Sequence, residues 1–212
     1  MLSRSFYTDT DVVQIAQSLL GKILVTDYDG VRTSGRIVET EAYRAPDDLA
    51  CHASKFPHTQ RGKDLLLDAG TAYVYYCRNH PLFNIITAPE GLAHCVLVRA
   101  IEPVEGISTM QARRVGVKKF QDLTNGPGKF TRALGISVER SHRTDLCLRK
   151  NIWVEDDGFS IEKMITTPRI RVDGAGKEAV ERLWRFYIAE NIFVSERNYF
   201  GRTFEKILKK RL

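Results

Sequence analysis

Long apolar runs are missing from this sequence. No stretch reaches the roughly 18 consecutive apolar residues that a membrane-crossing helix needs, so no membrane association is expected. Cysteine is sparse: four residues, at positions 51, 77, 95 and 147, with no CxxC pair. That sets aside a disulfide framework and leaves reduced, mostly buried thiols as the reading. His58, His80, His94 and His142 are dispersed without zinc-like spacing to those cysteines, so neither a metal nor another cofactor is expected. Internal repeats, low-complexity tracts and linkers are also lacking, which points to one domain over residues 1–212. The opening "MLSRSFYTDTDVVQ" has Arg4 but no apolar run behind it. No signal or transit peptide is expected there, and a cytoplasmic location follows. Charge of neither sign dominates: 32 Lys and Arg against 26 Asp and Glu give +6, with a pI near 9.2. Such an excess permits a polyanionic partner without requiring one.

Hydrophobic residues make up 43% of the chain, enough for a core. "TDTDVVQIAQSLLG" reads as a helix, capped at its start by Thr8 or Thr10 and stopped by Gly21. "KILVTDY" and "TSGRIVETEAY" read as the arms of a hairpin turning at Asp29-Gly30. Residues 44–70 read as a long polar loop, "TAYVYY" and "AHCVLVRAI" as strands, and "EPVEGISTMQARRV" as a helix. "TNGPGKFTRALGI" is expected to be a Gly/Pro turn feeding a short helix. "NIWVED" and "FSIEKMI" are expected to pair as a hairpin, and "RTFEKILKKRL" to form a basic terminal helix. This mixture implies an α+β domain.

The segment "RIVETEAYRAPDDLACHAS", residues 36–54, carries the chemistry. On a strand, Ile37, Glu39, Glu41 and Tyr43 share one face, and Val38, Thr40 and Ala42 the other. The two carboxylates are then about 7 Å apart, from a rise of ~3.3 Å per residue. A solvated face and a water-activating site both fit this pattern. The apolar flanks, Tyr43 and the His-bearing loop favour the second. Tyr73 and Tyr75 alternate on a later strand. If that strand neighbours the glutamates, Tyr43, His52 and one of these tyrosines frame a flat slot suited to a planar heterocycle.

With "GRIVETEAY", Pro46, Asp48, His52, "GTAYVYY", Asn84, "CVLVRAIEPVEG", "NGPGKFTRALGI" and "WRFYI" in this order, the chain resembles the alkyladenine (3-methyladenine) DNA glycosylase family. The likeness runs from the first helix to about Ser195. It implies a single α+β domain around a curved antiparallel sheet, with surrounding helices and a protruding β-hairpin. It also implies a monofunctional enzyme that flips an alkylated or deaminated purine out of duplex DNA and hydrolyses its N-glycosidic bond, because the reacting atoms are unreachable inside the stack. The lesion class implied is 3-methyladenine, hypoxanthine and ethenoadenine. By position, the resemblance makes Glu41 the activator of water and Arg99 the cation that helps hold it, with the Val194 carbonyl as the third water ligand. Tyr43 is one wall of the base pocket, His52 with Tyr75 the other, and Asn84 crowds the amino group of guanine. Glu39 is scaffold, paired with a basic residue. The partner implied is double-stranded DNA with a damaged purine, met by a monomeric, bacterial-type enzyme without a cofactor.

The family's hairpin tip pushes a tyrosine into the duplex, whereas "CRNHP" stands here. Arg78, Asn79 and His80 occupy the tip, with Arg78 or His80 as the residue that fills the gap. Phosphate contacts are expected from Arg61, Lys63 and Lys129, with Arg113, Arg114, Lys118 and Lys119 as further candidates. Lys129 stands out because "GPGK" opens a helix. The basic extension 196–212 lies beyond the likeness. Two other classes remain: a catalytically silent damaged-DNA-binding domain of this fold, supported by the altered tip, and a glycoside hydrolase using Glu39 and Glu41. Same-strand spacing argues against the latter.

Overall fold

Alternating apolar residues and tight turns build a sheet around one long strand. The computed structural model describes residues 1–8 and 11–196. β1 (Ile23–Tyr28) and β2 (Val31–Arg44) are joined by Asp29-Gly30 at φ 58° and 75°, the two-residue turn whose twist suits paired strands. From Ser34 to Arg44, β2 pairs with β5 (His94–Glu105) on one edge. On the other edge, its first half pairs with β1 and its second half with β8 (Arg185–Ile188). β4 (His80–Ile86) and β3 (Ala72–Cys77) continue outward from β5, β6 (Ile152–Glu155) from β1, and β7 (Met164–Thr167) from β8. Among the described residues the sheet has eight strands, all antiparallel, and is open.

Register shifts at Ser34/Gly35 and between Ile37 and Thr40 divide β2, and such bulges bend a strand. Gly35 suits the first of them, because a Cβ there would lie 2.9 Å from the Glu102 carbonyl oxygen, which is backbone and cannot move aside as a side chain can. One face of the sheet carries the main core. Ile15 and Ala16 of α1 (Val12–Ser18), Met110 of α4 (Ile107–Arg113) and Phe130 of α5 (Pro127–Leu134) pack there on Ile37, Ala42, Phe83 and Val98. Each large side chain so buried contributes about 1.5–3 kcal/mol relative to exposure. Of a second cluster (Cys51, Leu65, Tyr73, Ile86 and Cys95), all but Ile86 line a cavity that Ala42, Phe83 and the other main-core residues named do not line.

Several expectations need correction. α1 is capped by Asp11, whose side chain accepts from the Val13 amide, while Thr8 closes the preceding turn on Arg4 and Ser5; Thr10 lies outside the described residues. The polar stretch 44–70 holds two short helices, α2 (His52–Lys55) and α3 (Gln60–Asp64). "NIWVED" and "FSIEKMI" do not pair: β6 adds to β1 and β7 to β8, because each finds a free strand edge elsewhere. The helix after β5 begins only at Ile107, with residues 102–105 still in the strand. The basic terminal segment 197–212 lies outside the described residues.

Candidate active site

The bulge in β2 decides which side chains reach the site. Ile37 belongs to the main core, together with Ala42. Thr40 also points that way, its hydroxyl donating to the Ala16 carbonyl of α1 at 2.8 Å. Val38 instead packs with Ala100, Phe193 and Val194. The extra residue thus takes Ile37 off the face expected for it and leaves Glu39, Glu41 and Tyr43 together on the opposite one.

The two glutamates are both fully buried, yet their bonding differs. Glu39 accepts from Arg99 Nε at 3.0 Å, Arg185 Nε at 2.7 Å, the Ser195 hydroxyl at 3.0 Å and the Ser195 amide at 2.7 Å. Three of those donors share Oε1, and the Ser195 amide alone takes Oε2. Glu41 Oε2 accepts from the Tyr43 hydroxyl at 2.7 Å and Arg99 Nη1 at 3.3 Å, and Oε1 from the Ile170 amide at 2.8 Å. One acceptor position on Oε1 is left. Arg99 spans both carboxylates. Burial works against its charge, but Glu41 and Glu39 outweigh it and hold the guanidinium pKa above its usual value.

The cavity measures about 830 Å³ and is lined by both Tyr43 and Arg99. Facing them is an aromatic group: His52 Nδ1 lies 3.0 Å from the Tyr73 hydroxyl, the His52 ring meets Tyr75 edge-on at 4.8 Å, and Tyr73 stacks on Tyr75 at 5.3 Å. Burial, then the charge of Arg61, holds the His52 imidazole below its usual pKa, so the ring is neutral at neutral pH. Burial, reinforced by Glu41, pushes the Tyr43 hydroxyl well above its usual range and keeps it a donor. An aromatic lining, beside a guanidinium that bonds a buried carboxylate, suits a planar base and a water molecule.

A family profile described as Methylpurine-DNA glycosylase (MPG) matches residues 5–192. The chain belongs to the methylpurine-DNA glycosylase family. It is therefore a DNA N-glycosylase, an enzyme of alkylated-purine repair. Relatives named "Putative 3-methyladenine DNA glycosylase" include one from Chlamydia pneumoniae, 43% identical over 89% of this chain and 95% of its own length. Those from Salinibacter ruber (45%; 92% of this chain, 96% of its own) and Bacillus mycoides (43%; 91% and 98%) match similarly.

Against this glycosylase family, the structure brings some expected residues together and disperses others. Asn84 reaches the cavity, buried, its amide donating to the Tyr73 carbonyl at 3.1 Å. Tyr73 and Tyr75 reach it although β3 does not neighbour β2; β4 and β5 lie between, and α2 carries His52 across to them. Val194 is buried beside Ser195, in the apolar cluster with Val38. The hairpin tip is a two-residue turn with Arg78 and Asn79 at φ 48° and 63°. It is exposed, and Arg78 and His80 line the cavity. α5 braces it: Thr131 donates to the Pro81 carbonyl at 2.8 Å, and a Cβ on Gly128 would lie 2.7 Å from Cβ of His80.

The expected phosphate contacts fare unevenly. Arg61 and Lys63 are exposed on α3, but Arg61 also stacks on Tyr75 at 5.1 Å and donates to the Tyr76 carbonyl at 2.8 Å. The Lys129 ammonium is held by Asn125 at 2.6 Å and Asp122 at 3.1 Å, and its amide turns back to Gly126. Arg113 and Arg114 donate to the Ala133 and Asp122 carbonyls. Sequence reasoning missed Arg169, Arg185, Ser195 and the Ile170 amide. No local pattern links Arg169 to Asp48, 121 positions away, or Ser195 to Glu39, 156 away.

Proposed function

We propose that this enzyme acts as a monomer on duplex DNA, turns a damaged purine into the cavity, and hydrolyses its N-glycosidic bond with one water. The observation that carries this reading is the contrast between the glutamates. Glu39 takes four donors, one of them from Arg185, which does not line the cavity, whereas the three donors of Glu41 come from Tyr43, Arg99 and Ile170, each of which does, and its Oε1 accepts only one bond. A water there donates to Glu41 and attacks C1′. The C–O bond forms, the C1′–N bond breaks with its electron pair leaving on the purine, and Glu41 takes the proton. The Glu41 charge also favours the oxocarbenium-like transition state. Arg99 and the Val194 carbonyl orient the water. Tyr43 on one side, and His52 with Tyr75 on the other, hold the base, and a neutral His52 does not repel a cationic purine. Asn84 crowds the amino group of guanine. The lesions that fit are 3-methyladenine, the substrate named for the relatives, together with hypoxanthine and 1,N6-ethenoadenine.

Arg78 or His80 fills the gap in the duplex, and Arg61, Lys63 and Lys129 face phosphates. Lys129 gives up its contacts to Asp122 and Asn125 when it does so. Reaction through water, with no Schiff base, makes the enzyme monofunctional: Lys129, the one lysine lining the cavity among the described residues, lies on α5 and turns to phosphate. The bacterial relatives favour action at a bacterial chromosome in the cytoplasm.

Duplexes carrying each lesion test this reading. Wild type should release free base, with Glu41→Gln slower by about 10²–10⁴-fold. Equal release by both proteins removes Glu41 as the base. Binding without release from any lesion leaves a silent binder.

A further inference from the structure

One buried side chain stands behind both halves of the site. Arg169 is 1% exposed and forms a fork with Asp48, Nη1 to Oδ2 at 2.5 Å and Nη2 to Oδ1 at 2.7 Å. Nη1 also donates to the carbonyl of Ala42 at 2.8 Å. Ala42 is the residue between Glu41 and Tyr43, so this bond grips the backbone that carries both. The guanidinium lies 4.6 Å from the Tyr43 ring centroid and 5.2 Å from that of Trp184. Tyr43 lines the cavity and Arg169 does not, so Arg169 covers the ring from behind. The next amide along the chain, that of Ile170, donates to Glu41 Oε1 at 2.8 Å. Arg169 Nε is buried with no hydrogen-bond partner among the described residues. The guanidinium keeps its place over the Tyr43 ring even at the cost of that unmet donor.

We infer that Arg169, clasped by Asp48, is a positioning residue that fixes the Tyr43 wall and the Glu41 carboxylate relative to each other. Arginine suits this task because its fork and its flat face are rigidly coupled: the bonds to Asp48 orient the plane that meets the ring. The inference rests on the proposed roles of Glu41 and Tyr43.

The neutral pair Asp48→Asn/Arg169→Gln tests it without leaving a lone buried charge. Single-turnover base release should fall roughly 10- to 100-fold, as for a misplaced reacting group, while binding to an abasic-site duplex stays within about threefold. Arg169→Lys keeps the charge but loses the planar stack, and should move the rate the same way. Combined with Tyr43→Ala, the paired substitution should cost less than the product of the separate losses, because both act through one wall. Release within about threefold of wild type by either Arg169 variant overturns the inference, as do losses that simply multiply in the cycle. Full release by Glu41→Gln overturns the site assignment and this inference with it; a dead Glu41→Gln beside an unaffected Arg169 pair overturns the inference alone.

Discussion

The two aromatic walls of the cavity use the same device in different surroundings. Each has an arginine stacked on a tyrosine: Arg169 on Tyr43 at 4.6 Å and Arg61 on Tyr75 at 5.1 Å. Arg169 is buried, paired with Asp48, and tied to the backbone beside Glu41. Arg61 is exposed, has no carboxylate partner among the described residues, and reaches the carbonyl of Tyr76 at the foot of the hairpin. A buried charge pair cannot relax without losing its compensation, so the Tyr43 wall is fixed together with the carboxylate. Water competes for an exposed arginine, so the Tyr75 wall can adjust along with the hairpin.

Removing each backing separates the walls most strongly in stability. Asp48→Ala strands Arg169 in the interior and should cost about 3–5 kcal/mol of unfolding free energy. Arg61→Ala should stay within about 0.5 kcal/mol. Urea melts decide it, and equal losses would break the comparison. Removing one hydroxyl from each wall comes next. Tyr43→Phe deletes a bond to the Glu41 carboxylate, of a kind worth about 1.5–3 kcal/mol, and single-turnover base release should fall roughly 10- to 100-fold. Tyr75→Phe, whose hydroxyl makes no hydrogen bond among the described residues, should stay within about threefold by the same reasoning.

The hairpin gives a smaller effect. Arg78→Ala or His80→Ala should slow turnover several-fold on paired lesions and leave single-stranded ones unchanged, as expected of a residue that fills an emptied stack. Equal effects on both substrates would detach the hairpin from flipping. The smallest change is a shift in pH dependence. The His52 pKa is below its usual value of 6.5, first through burial and then through Arg61, so the ring stays neutral as pH falls through 6.5. Arg61→Ala removes one of those causes, so the pKa rises and the acid limb of the rate profile should move to higher pH. An unmoved or lower limb would mean that His52 does not set it.

Much of the fold was legible locally. The Asp29-Gly30 hairpin, the helix after Gly-Pro-Gly and the strands around "TAYVYY" and "CVLVRAI" follow from turn chemistry and alternation. Alternation failed at Ile37, because a bulge inserts one residue and reverses the faces of Ile37 and Val38. Strand pairing failed for "NIWVED" and "FSIEKMI", because nearness in sequence does not decide which edge is free. Of the site, Glu41, Tyr43, His52, Tyr75 and Arg99 were readable by position from the resemblance. Arg169, Arg185 and Ser195 were not, since they come from segments with no period or motif of their own.

The sequence by itself determined which residue types were available, their spacing on β2, and the family to which the chain belongs. The resemblance assigned the two glutamates different roles, but only the tertiary structure supplied a physical difference between them. They are the same residue type, share a strand and are equally buried. The distinction lies in the donors that distant segments bring: four on Glu39, one of them from Arg185 away from the cavity, and three on Glu41, each from a residue that lines it. Acceptor capacity is a local property of a carboxylate, but the filling of that capacity depends on chain segments more than 100 positions away.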